Sequence, residues 1–147
     1  MNYDSIIIGI GILFAILLIK KTIPRYLVGI LIALVICYGL SLTDNGLLNT
    51  ISFYGFGTLG LMFSVYSLIK TNWLNLIIGF FAFISFFWKV MHYPYANEIK
   101  LVMIIPIICF CLTLIKKKEY KNELSILTLF VAYELMEFIN LMVQWFN

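Results

Sequence analysis

The chain has 147 residues, of which 63% are hydrophobic and only 12% charged, with a formal net charge of +3. Soluble domains carry about 25% charged residues, so a water-facing globule, a disordered chain and a collagen-like fibre are excluded. The mean hydropathy of +1.04 places the chain in a bilayer. So weak a positive balance gives no reason to expect nucleic acid as a partner.

Six apolar segments alternate with short polar breaks, over 5–19, 26–42, 47–69, 73–91, 99–115 and 124–146. A bilayer core of about 30 Å takes roughly 17–25 helical residues. The first segment, of 15 residues, falls short of that length, and the second and fifth, of 17 each, only just reach it. Strands of a membrane barrel would alternate polar and apolar residues, whereas these segments are apolar all round. The expected fold is therefore all-α: a polytopic integral membrane bundle of about six transmembrane helices, forming one domain over 1–147. Five is the count if the fifth segment is re-entrant.

The first segment is preceded by Met-Asn-Tyr-Asp and followed by Lys20 and Lys21, with no small-residue cleavage site. It therefore reads as a retained helix rather than a secretory signal. Pro24 suits the start of the second segment, where its missing N–H costs little. Asp44-Asn45-Gly46 is a turn signal in which Asn or Gly takes positive φ. Gly55, Gly57 and Gly60 in the third segment let a neighbouring helix come close. Pro106 is expected to kink the fifth. Cys37, Cys109 and Cys111 lie inside apolar runs and read as small packing residues, not as a disulfide or metal set.

Orientation follows from the basic residues. With the N-terminus outside, Lys20, Lys21, Arg25, Lys70 and the cluster Lys116, Lys117, Lys118 and Lys121 all fall inside, eight of the ten in the chain. Both termini are then non-cytoplasmic, and the expected location is a bacterial inner membrane.

The sixth segment carries the costly residues. Glu134 and Glu137 lie near its middle, where insertion of an ionised acid costs about 2.5–3.5 kcal/mol. Tyr133, Glu137, Asn140 and Gln144 share one helix face, a polar stripe expected to meet protein or water. Two carboxylates one turn apart suit a protonatable or cation-binding site. Depth supplies a partner. At about 1.5 Å rise per residue, Lys89 in the fourth segment and Glu137 in the sixth lie within about 4–5 Å of the same level. A Lys89–Glu137 contact follows if the two helices are neighbours. His92, the one histidine, is expected to be a proton-responsive group beside Lys89 at the outer mouth. A lone His with distant cysteines makes no zinc site, and Asp4 and Asp44 lie at segment ends. Neither an enzyme, a metal nor a cofactor is expected. Trp73, Trp88 and Trp145 suit interfacial belts.

The run Phe87-Trp88-Lys89-Val90-Met91-His92-Tyr93-Pro94-Tyr95-Ala96-Asn97 resembles a helix–loop–helix signature, F-K-I-M-H-W-P-G-A. That signature belongs to the N-terminal membrane region of the gliding-motility GldL family, a proton-motive motor subunit of type IX secretion. Lys89, Met91, His92, Pro94 and Ala96 carry the match, over the fourth and fifth segments. The motif glycine is Tyr95 here, and 99–115 holds no carboxylate, so only Glu134 and Glu137 could supply the motor's acid. The resemblance implies a helical hairpin and a functional role for Lys89 and His92. The leading expectation is an ion-responsive or transport-associated membrane subunit with Lys89, His92, Glu134 and Glu137 as its polar centre. The alternatives are a structural or assembly subunit and a small-solute transporter. Expected partners are the lipid bilayer and other membrane subunits or a second copy of the chain.

Overall fold

The computed structural model describes residues 3–19, 22, 24–43, 45–91 and 99–146. These residues form seven helical segments: α1 (Tyr3–Leu18), α2 (Arg25–Ser41), α3 (Gly46–Ile69), α4 (Trp73–Val90), α5 (Ile99–Val102), α6 (Ile104–Ile115) and α7 (Leu124–Phe146). Among the described residues there is no strand, so the protein is all-helical as its composition requires.

Local chemistry sets the boundaries. Pro24 caps α2 with φ −65°, and its carbonyl accepts from Val28 N at 3.1 Å. Asn45 caps α3: its side-chain oxygen accepts from Leu47 N at 3.0 Å and Leu48 N at 3.5 Å, satisfying donors that a helix start leaves open. This corrects the turn expected there. Asn45 is extended at φ −92° and no described glycine has positive φ; Asp44 lies outside the described residues. The left-handed residue is instead Thr71, at φ 56°, after α3. Asn72 N donates to Ser67 O at 2.9 Å and Thr71 N to Leu68 O at 3.0 Å, the pair of bonds that closes a helix C-terminus.

The fifth segment is divided rather than gently kinked. Its helix breaks at Met103, between α5 and the 12-residue α6. Pro106 explains the position: it has no N–H for the carbonyl of Val102, and its ring crowds that carbonyl. Three helices are long and apolar enough to cross a membrane: α3, α4 and residues Leu124–Trp145 of α7, at mean hydropathies of 1.3, 1.7 and 1.7. α1, α2 and α6 are shorter apolar helices; α2, at 17 residues, falls just under the length of the long group.

α7 is the hub, packed by α1, α2, α4, α5 and α6, while α3 lies against α2 and α4. Ile126, Leu127, Leu129 and Phe130 are all essentially inaccessible, so the first half of α7 is covered on every side. Phe130 meets Phe56 and Phe63 of α3 at ring separations of 5.4 and 5.5 Å. Small residues set the α3–α4 spacing: a Cβ on Gly57 would stand 2.1 Å from Phe86, and one on Gly79 would stand 3.2 Å from the carbonyl of Gly60. The outer surface stays apolar, with Leu13, Leu17, Ile69 and Ile115 all more than half exposed. A surface of that kind supports membrane insertion.

A polar centre between α4 and α7

Lys89 stands in the last turn of α4, where a cation is favoured by the helix dipole. Its ammonium reaches across to α7. Lys89 Nζ lies 2.6 Å from Glu137 Oε1 and donates to the Tyr133 hydroxyl at 3.0 Å. The same nitrogen stands 5.3 Å from the centroid of the Tyr133 ring, within cation–π range. Tyr133 and Glu137 reach one cation together because residues four apart on a helix lie on one face. The depth argument made from the sequence thus found the right partner. The Lys89 and Glu137 side chains are 29% and 13% exposed, so the pair is largely withdrawn from solvent.

Aromatic rings from α2 and α3 pack behind Tyr133 and fix this arrangement. Phe56 of α3 packs on the Tyr133 ring at 4.3 Å, and Tyr38 of α2 meets Phe56 edge-on at 6.1 Å. Tyr38 is itself anchored, its hydroxyl donating to the carbonyl of Leu129. The sequence reading missed Tyr38 and Phe56. The one available signal was a tyrosine hydroxyl deep in an aliphatic helix, which must find an acceptor when buried.

Glu134 departs from the stripe, as one residue's rotation on a helix requires. It is completely buried, and neither of its carboxyl oxygens has a hydrogen-bonding partner among the described residues. Glu137 and Lys89 act on it electrostatically, and Tyr38 lies within reach of its charge. The rest of the stripe behaves unevenly: Asn140 is half-buried, whereas Gln144 is exposed at the end of α7. The structure therefore gathers Lys89, Tyr133, Glu134 and Glu137 and leaves Gln144 outside. His92 lies outside the described residues.

A partly enclosed cavity of about 240 Å³ adjoins the centre, reaching from Ser41 and Asn49 to Tyr38, Phe56 and Tyr133. The free cysteines are distributed by depth: Cys37 is half-buried on the cavity wall, Cys109 buried and Cys111 exposed. Among the described residues no three His, Cys, Asp or Glu side chains gather as a metal site would need. No protein-family model, curated protein or solved structure matches this chain.

Proposed function

We propose that this is a small multi-pass subunit of a bacterial inner membrane whose polar centre responds to an ion. In this reading the bundle crosses the membrane six times, with α5 and α6 together making one broken crossing. The lysine-rich loops face the cytoplasm and both termini lie outside. The single observation that carries the reading is the Lys89–Glu137 pair at 2.6 Å, with the completely buried Glu134 beside it. Ionisable groups at membrane depth are costly and mark ion or proton pathways. The lysine in the pair is also the lysine of the run that resembles the GldL motor subunits. α7 would here provide the acid that the helix after the run lacks, and His92 would belong to the outer mouth. No catalytic role is assigned to any residue.

Infrared difference spectroscopy in lipid nanodiscs tests this. Stepping the pH across the neutral range should change a carboxyl band in the native protein, and that change should disappear in Glu137→Gln or Glu134→Gln. A spectrum without any carboxyl response, in protein that remains folded, would reduce the pair to a helix-association contact.

A further inference from the structure

The cavity beside the centre has apolar walls that include Ile8, Phe53 and Met136, interrupted by the polar groups of Tyr38, Ser41, Asn49, Ser52 and Tyr133. Its rim is polar and exposed at Ser41 and Asn49, and its floor is formed by the buried rings of Tyr38 and Phe56. Ser41 donates to the carbonyl of Tyr38 at 2.8 Å and Ser52 to that of Cys37 at 2.6 Å. Their donors are used on the backbone, and their oxygen lone pairs remain for water to donate to. At roughly 30 Å³ per water the volume holds about eight molecules. The floor includes Tyr133, whose hydroxyl accepts from the same Lys89 ammonium that holds Glu137.

We infer that this cavity is a water-filled vestibule that brings protons, rather than metal cations, to Glu137 through the Tyr133 hydroxyl. The inference rests on the ion-responsive reading of the centre and names its ion. No carboxylate lines the vestibule, so a metal cation finds no anionic ligand there to replace its hydration shell. A proton needs only the hydroxyl. Tyr133 takes a proton from a hydronium in the vestibule, leaving water, as it gives its own to the Glu137 carboxylate; the phenol ends neutral and Glu137 ends as a carboxylic acid. The titratable and charged groups facing this step are Lys89 from α4, Tyr38 and Cys37 from α2, and Glu134 on α7 itself. α3 brings the uncharged Asn49, Ser52 and Phe56, and among the described side chains α1, α5 and α6 bring no charge.

Cys37 reports on the vestibule without any mutation. The native protein in nanodiscs is treated with a trimethylammonium methanethiosulfonate, and each cysteine is mapped by mass spectrometry. Cys37 should react at least about tenfold faster than buried Cys109, and faster than Cys111, which the proposed bilayer shields from a charged reagent. Its bulky adduct should then slow the carboxyl infrared response to a pH step several-fold, and replacing sodium by choline should leave that response unchanged. If Cys37 stays unmodified while the unfolded chain reacts fully, the vestibule is dry and the inference falls. A response that requires sodium overturns the proton assignment. Rapid modification of Cys37 without any carboxyl response in the untreated protein overturns proton delivery and the ion-responsive reading with it, leaving a wet cavity alone.

Discussion

Thr71 occupies the left-handed region at φ 56°, a conformation that crowds the Cβ of any L-residue and that a β-branched side chain enters at a cost of about 1–2 kcal/mol. The closing bonds after α3 hold it there. Thr71→Gly should therefore raise stability by about 1 kcal/mol, read as a higher midpoint of thermal unfolding in detergent; a lowered midpoint would show that the threonine is not strained. Glu123 makes the opposite kind of demand. It lies just before α7, nearly inaccessible, with one carboxyl oxygen unpartnered. Burial pushes its carboxyl above the usual carboxylate range, and a hydrogen bond from its own backbone N–H offsets part of that rise. The folded chain thus holds this proton more tightly than the unfolded chain. The resulting stabilisation is fully present below the ordinary carboxylate range and is lost as pH rises through the raised folded value. Glu123→Gln should remove that loss: the variant should melt above the native protein at neutral pH and lose its advantage in acid. An equal offset at every pH would contradict the account. Neither residue announced itself in the sequence. Thr71 lacks the glycine that signals a left-handed cap, and Glu123 reads as one more charge beside a lysine-rich loop.

At the scale of the element, the Lys89–Glu137 pair ties α4 to α7. Removing one partner leaves the other charge withdrawn from water, which costs about 3–5 kcal/mol in fully buried pairs; the partial exposure of Lys89 lowers this to about 2 kcal/mol. Lys89→Met and Glu137→Gln should each destabilise by about that amount. The double variant should lose less than their sum by at least about 1 kcal/mol, measured by unfolding in mixed micelles, whereas strict additivity would mean that the charges do not interact. This contact was legible because two regular helices share a rise per residue, so depth alone aligned the residues. The division of the fifth segment was only half legible: Pro106 gave the disturbance, but whether a helix bends or breaks depends on the packing around the freed carbonyl. The glycines behaved as helix-contact residues. Gly57 and Gly60 face α4, with Phe86 seated over Gly57, but the sequence did not say which helix would come close.

For the whole molecule, composition and segment length gave the all-helical architecture, and they gave α7 as the polar helix. They did not give α7 its central place. A helix buried on all sides and a helix immersed in lipid carry the same apolar sequence, so Phe130 and Leu129 look no different from the exposed Ile10 or Leu13. The cavity was equally hidden, since it is assembled from α1, α2, α3 and α7 residues far apart in the chain. The polar centre exists only if α4 and α7 are neighbours at the level of Lys89 and Glu137. Oxidative crosslinking tests this most directly, with Lys89→Cys and Glu137→Cys introduced together after Cys37, Cys109 and Cys111 are replaced. Efficient disulfide formation in native membranes, absent from either single-cysteine chain, is the expected result. Failure of the inserted, folded double variant to crosslink would separate the two helices and contradict the account.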